Sequence, residues 1–215
     1  MKRFADLAFT PSVVAAQQRY GSREIGRRLE QRPPPTALGD RECDFIAQCE
    51  SFFIATVGAG GWPYVQHRGG AAGFVRCIGD DTVALPDYRG NRQYLSVGNL
   101  DHDGRVALII VDFAEQRRLK LMGRARHIDA AEAEPDLIAR LGPSVGNALV
   151  ERYLLIRIES FDWNCPQHIP LRISPEAVAA RLQPLNRHID HLESLLREAG
   201  VDVPQRPDTP TPRRP

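Results

Sequence analysis

The order of polar and apolar positions divides the chain into a β-rich middle and two helical flanks. Apolar runs at residues 51–57, 62–68, 74–78, 82–85, 105–113, 118–128 and 153–161 are short. They are rich in β-branched or aromatic residues and bounded by Gly, Pro, Asp or Asn, which predicts strands separated by turns. Gly58-Ala-Gly-Gly61 is the clearest turn, and 105–113 with 118–128 reads as a hairpin. Residues 91–100 predict a helix across the sheet. Six or seven short strands joined mostly by hairpins are the pattern of a small closed barrel with helices packed outside.

The flanks carry helix signals. Thr10-Pro11 places a capping residue before a first-turn proline, and Ser22-Arg-Glu-Ile-Gly-Arg-Arg-Leu29 predicts a short amphipathic helix stopped by three prolines at 33–35. From Asp40, Cys43, Phe45, Ile46 and Cys49 fall three or four apart, on one buried helical face. Ser174-Pro175-Glu176 starts another helix. Pro184 predicts a restart, followed by a narrow seam of Leu185, Ile189, Leu192 and Leu196, suited to packing on the barrel or on a partner's copy. The expected organisation is a helical extension at 1–40, a barrel at 41–172, helices at 173–200 and a disordered proline-rich tail at 201–215.

Composition narrows the function. With 215 residues and 42% apolar content, one sizeable core is expected. A net charge of +1 carries no global signal for nucleic acid or an anionic membrane, so basic residues have to be read locally. No apolar run reaches eighteen residues, which argues against a spanning helix. Lys2 and Arg3 ahead of an apolar stretch loosely imitate a leader, but Asp6, Thr10, Pro11 and Ser12 interrupt it. Cys43, Cys49, Cys77 and Cys165 match neither a zinc ribbon nor a redox pair, and reduced thiols in a cytoplasmic protein are expected.

The dinucleotide, P-loop and zinc-protease signatures are all missing, so any bound phosphate has to be held by side chains. Arg68 and Arg92 are the candidates, because a guanidinium fork matches phosphate and stays charged. Gly69 and Gly70 beside Arg68 would let a ligand approach the backbone, and Asn91-Arg92 falls where a helix N-terminus is predicted. The competing reading is that both arginines are solvated surface charges.

Q-H-R-G-G at 66–70, L-P-D-Y-R-G-N-R at 85–92, S-V-G-N-L at 96–100, the hairpin strand at 118–126 and W-N-C-P-Q-H-I at 163–169 occur in one order. Together they resemble the flavin-nucleotide-binding branch of the pyridoxamine 5'-phosphate oxidase-like family, over roughly residues 50–172. The resemblance implies a mainly β fold with flanking helices: a six-stranded split β-barrel, forming a homodimer with FMN in two clefts at the subunit interface. It implies that Gln66, His67, Arg68 and Gly69 line the phosphate and ribityl side, with Asp87, Asn91 and Arg92 closing from the next strand and helix. Arg118 and Lys120 would reach in from the following hairpin, from either subunit, and Trp163, Gln167 and His168 would border the isoalloxazine ring.

The expected function is that of an FMN-dependent oxidoreductase acting on a small molecule, with His168 as the candidate proton donor. The vitamin B6 oxidases end in an arginine- and histidine-containing segment, whose place is taken here by Cys165-Pro-Gln-His-Ile-Pro-Leu-Arg172, so a typical pyridoxine phosphate oxidase is not expected. The alternatives are a non-enzymatic flavin-binding or redox-sensing module, and a relative that binds haem or a deazaflavin. His188 and His191 with Glu193 read as a solvated helical face, and no metal site is assigned. Cys165 reads as a packed or ring-facing cysteine, Trp62 and Phe74 as core or interface residues, and Arg124 and Arg126 as outward-facing.

Overall fold

Seven strands make one antiparallel sheet in the computed structural model, which describes residues 1–141, 149–164 and 166–206. Their order is β2 (Pro63–Gly69), β1 (Ser51–Val57), β5 (Arg105–Asp112), β6 (Arg117–Asp129), β7 (Val150–Asn164), β4 (Thr82–Tyr88) and β3 (Arg76–Cys77). The helices are α1 (Phe4–Ala8), α2 (Pro11–Arg19), α3 (Arg23–Glu30), α4 (Asp40–Gln48), α5 (Leu95–His102), α6 (Pro135–Leu141) and α7 (Pro175–Glu198). Two compact units are present, Met1–Pro170 and Leu171–Pro215.

One face of the sheet is the core. Register places Phe52 and Ile54 of β1 opposite Ile110 and Leu108 of β5, which in turn face Leu119 and Leu121 of β6. Val83 and Leu85 of β4 face Ile156 and Leu154 of β7, and all ten side chains are buried. Because side chains alternate along a strand, the intervening residues take the other face, where Phe53 and Val65 are exposed. From α4, Phe45 and Ile46 are buried in the same core. Over the sheet, α5 is tied down by Ser96 Oγ donating to Gln66 Oε1 (2.6 Å) and Asn99 Nδ2 donating to Thr56 Oγ1 (2.9 Å).

The sheet is open, with seven strands rather than the expected closed set of six, the seventh being the two-residue β3. It is nevertheless rolled. β2 lies at one edge and β4 next to the other, with no ladder between them among the described residues, yet Arg68 of β2 donates to Asp87 of β4 through Nη1. Asp87 also accepts from Arg152 Nη1 of β7 at 3.0 Å. The register row that begins at Arg68 runs through Phe52, Ile110 and Leu119 to Trp163. Asp87 instead faces Arg152, eleven positions before Trp163 on the same strand. Such an offset is the stagger a sheet acquires when its strands tilt and curl towards closure. The curl is helped by a register shift at Met122/Gly123, where a Cβ on Gly123 would collide with the Arg157 carbonyl of β7.

Several expectations are corrected. The helix expected at 91–100 begins only at Leu95, because Arg92 and Tyr94 have φ of 61° and 54°, outside helical backbone. Residues 74–78 yield only the two-residue β3, preceded by a turn that carries buried Phe74. Trp62 is neither core nor strand but an 82% exposed residue at the turn before β2. Pro184 does not restart a helix. It sits inside α7, whose N-cap Ser174 accepts from Ala177 N at 3.1 Å. In the second unit the α7 seam residues are exposed, and Arg206 pairs with Glu193 (2.6 Å) and Asp190 (2.5 Å). Residues 207–215 of the expected tail, and Cys165, lie outside the described residues.

The thiol expectation also changes, since Cys43 of α4 and Cys77 of β3 form a disulfide with Cα atoms 5.7 Å apart. Their separation of 34 residues gives no motif, and only the packing of α4 beside β3 brings them together. Cys49 is a buried thiol whose pKa burial pushes up to about 12.

Two stability measurements follow. Asp87→Ala leaves two mostly buried guanidinium groups facing each other and is expected to lower unfolding free energy by about 3–5 kcal/mol in denaturant titrations. Cys43→Ser with Cys77→Ser releases the loop closed by the disulfide and is expected to cost about 3–4 kcal/mol under the same non-reducing conditions. An unchanged midpoint for either variant would contradict the corresponding link.

Candidate functional site

The rolled edge of the sheet encloses a cavity of about 320 Å³ whose walls come from β2, β4, the 89–94 loop and the start of α5 and β7. Gln66, His67, Arg68, Gly69, Asp87, Asn91 and Arg92 all line it. Seven of the residues singled out from the sequence are therefore brought together by the fold.

Charge is the main property of this cavity. Arg68, Arg89, Arg92 and Arg152 line it together with Asp87 and Glu151, an excess of two positive charges. Asp87, 3% exposed, is shared by Arg68 and Arg152, one bonded to each carboxylate oxygen, so its carboxylate positions both guanidinium groups. Burial works against the charge of Arg152, but the Asp87 hydrogen bond and attraction outweigh it and raise its pKa above the ordinary arginine value. Arg89 donates to Glu151 Oε1 at 2.8 Å and, as the largest influence, draws the Glu151 pKa below the usual carboxylate range. Arg68 Nε is buried and has no acceptor among the described residues. A buried donor without a partner is costly, and an anionic oxygen in the cavity would satisfy it.

The remaining lining groups are held by local structure. The Asn91 Oδ1 accepts from Gln93 N at 3.1 Å, closing a small turn that sets Arg92 in left-handed backbone at the solvent-exposed rim. A Tyr94 hydrogen bond raises the Arg92 pKa, and Arg152 lies over the Tyr94 ring at 5.0 Å. His67 points to the outer sheet face, edge-on to Phe53 at 5.4 Å between ring centroids. Gly69 lines the cavity, whereas Gly70 answers a packing need, since a Cβ there would lie 2.6 Å from the Phe74 ring.

The other expected site residues lie elsewhere in the chain. Arg118 and Lys120 project from β6 on the face away from the core. Arg118 Nε is likewise buried without an acceptor among the described residues, and Lys120 borders an apolar groove of about 210 Å³ with Phe53, Val65 and Met122. Trp163 Nε1 donates to Glu42 Oε1 at 2.6 Å, and its ring meets Phe45 edge-on at 4.8 Å. Gln167 and His168 are exposed in a turn anchored by Gln116 Nε2 donating to Ile169 O at 2.6 Å. None of these five lines the arginine cavity. Arg152 and Trp163 are separated by about 36 Å of strand contour, at roughly 3.3 Å per residue.

Arg89, Tyr94, Ser96, Glu151 and Arg152 were not expected at a site. A signal for Arg152 was present: it shares strand parity with Leu154, Ile156 and Ile158, so an arginine falls on an otherwise apolar inward face. Asp87 has the same relation to Val83 and Leu85. Both lie just outside the expected strands at 82–85 and 153–161, and a charge of each sign continuing the inward parity of two strands is the sequence mark of a buried ion pair.

Among solved structures, the chain is similar to the HupZ protein of Group A Streptococcus, with 16% identity over 63% of this chain and 98% of that one (TM-score 0.44). It is also similar to the protein Atu2129 of Agrobacterium tumefaciens, of unknown function, at 22% identity over 60% and 57% (TM-score 0.41). An FMN-binding protein of Syntrophomonas wolfei aligns at 13% identity over 69% and 97% (TM-score 0.41). Likeness at this level carries no functional argument. No curated protein matches the chain. The profile of the pyridoxamine 5'-phosphate oxidase family matches residues 39–159, more than half the chain and all of the sheet except the end of β7, and the protein belongs to that family.

Proposed function

We propose that the arginine cavity holds the phosphate of FMN and that the protein is a flavin-dependent oxidoreductase acting on a small molecule. The observation that carries this reading is the excess of two positive charges in one cavity, together with the buried Arg68 Nε that lacks an acceptor among the described residues. A phosphate monoester is a dianion near neutral pH and accepts several charge-assisted hydrogen bonds, so its chemistry fits this donor set.

The chain's own residues divide the work. Arg92 at the rim and Arg68 at the wall would bind the phosphate, while Asp87 keeps Arg68 and Arg152 in place. Gln66 and Ser96, already bonded to each other, would face the ribityl chain. When bound, the flavin supplies the hydride or electron chemistry, and the protein's contribution is binding, orientation and exclusion of water.

The protein would act as a homodimer in the cytoplasm. Arg118, Lys120, Trp163, Gln167 and His168 lie away from the arginine cavity, so a cofactor contacting both groups would draw them from two copies. The exposed outer face bearing Phe53 and Val65 offers apolar surface for that association.

The purified protein is expected to be yellow, to release FMN on heating, and to elute as a dimer by light scattering. Arg92→Ala should weaken FMN binding about 10- to 150-fold, the range for a lost charge-assisted bond, with an unchanged thermal midpoint. A colourless protein that also fails to bind added FMN would overturn the cofactor assignment. Reduction of the bound flavin by NADH or NADPH would separate an oxidoreductase from a flavin-holding module.

A further inference from the structure

A second cavity, larger than the first at about 430 Å³, lies between the N-terminal helices and the end of β7. Of its twelve lining residues, only Arg41 falls within the family match at 39–159. The others come from residues 3–35 and from Phe161, Asp162 and Trp163, so this cavity belongs to the parts of the chain that the family profile does not cover.

Its lining combines aromatic walls with an unspent cation. Phe4, Phe9, Phe161 and Trp163 supply flat apolar surface. Three arginines are present, in different states. Arg3 is committed, its Nε to Asp6 at 3.0 Å and its Nη1 to the Glu30 carbonyl at 2.6 Å. Arg32 forms no ion pair among the described residues, but its charge and that of Lys120 oppose the rise that burial gives the Asp162 pKa. Arg41 lies over the Trp163 ring at 4.3 Å and has no carboxylate within ion-pair distance among the described residues. Glu42, the carboxylate next in sequence, is spent on Trp163 Nε1 and on the Gly39 N–H at 3.2 Å.

We infer that this second cavity binds a planar aromatic carboxylate, with Arg41 receiving the carboxylate and Trp163 with Phe161 and Phe9 receiving the ring. The guanidinium is already held over an indole, so less side-chain freedom is lost when its fork closes on a carboxylate. With Arg3 paired to Asp6, Arg32 and Arg41 against Asp162 leave a net of one positive charge among aromatic walls. That selects a monoanion with a flat apolar body over a phosphate dianion, which the arginine cavity suits better. The inference does not rest on the phosphate assignment of the arginine cavity, and Trp163 is the residue it shares with the proposed flavin contact.

Trp62 and Trp163 are the two tryptophans of the chain, and Trp62 is 82% exposed, so the full-length W62F variant reports on Trp163 alone. Titrating it with benzoate should change the indole emission saturably, with half-saturation below about 10 mM. The neutral isostere benzamide should bind at least about tenfold more weakly. In the W62F background, R41A and R41Q should each weaken benzoate at least about tenfold, while R92A should leave it within about twofold. Arg41 is exposed on the first turn of α4, and circular dichroism of both variants checks that the fold is kept. A linear, unsaturable response, equal binding of benzamide, or undiminished binding in folded R41A or R41Q would overturn the inference. Loss of the response in R92A would do so as well, by placing benzoate in the arginine cavity.

Discussion

The Arg68–Asp87–Arg152 triad is the constraint on which the site rests. Backbone hydrogen bonds order the sheet from β2 to β3, but none joins β2 to β4 among the described residues, so the approach of those two strands depends on side chains. A mostly buried pair of like charges around one carboxylate is weak as a source of stability and strong as a specification of geometry, because each member would be penalised in any other arrangement. The same carboxylate that draws the sheet into a roll also leaves the cavity cationic. Closing the fold and charging the site are one act.

The sheet spreads chemistry over distant places. At the rolled edge, arginines gather around a polar cavity. At the far end of β7, Trp163 is locked by Glu42 and flanked by α4 and the N-terminal helices. Because α4 is tied to β3 by the Cys43–Cys77 disulfide, the residues that hold Trp163 are linked covalently to the strand beside β4. The two cavities thus differ in what they select: one carries an excess of two positive charges, the other a net of one beside four aromatic rings.

Much of this was legible in the sequence because strands with one buried face announce themselves. β1, β5 and β6 fall within a residue or so of their expected bounds, since turn residues punctuate them. The Q-H-R-G-G and L-P-D-Y-R-G-N-R segments do share one cavity. What escaped was set by tertiary context. Arg92 and Tyr94 adopt left-handed backbone that no propensity foretells, and this delays the helix to Leu95. Pro184 is tolerated inside α7 although local rules place it at a helix start. Cys43 and Cys77 meet only once α4 lies beside β3. The partnership of Arg68 with Asp87 spans the open seam, where no register rule reaches.

Gly123 limits how this chain can vary. It stands at the register shift in β6, pressed against the Arg157 carbonyl so closely that no side chain fits. A substitution there would push β6 from β7 midway along the sheet, outside the walls of the arginine cavity, and relax the curl that brings β2 towards β4. Mutational paths through position 123 would therefore cost the geometry of the arginine cavity before they removed any contact within it. Among sequences that keep this fold, the freedom to redesign the arginine cavity is bounded by a residue with no side chain and no part in its walls.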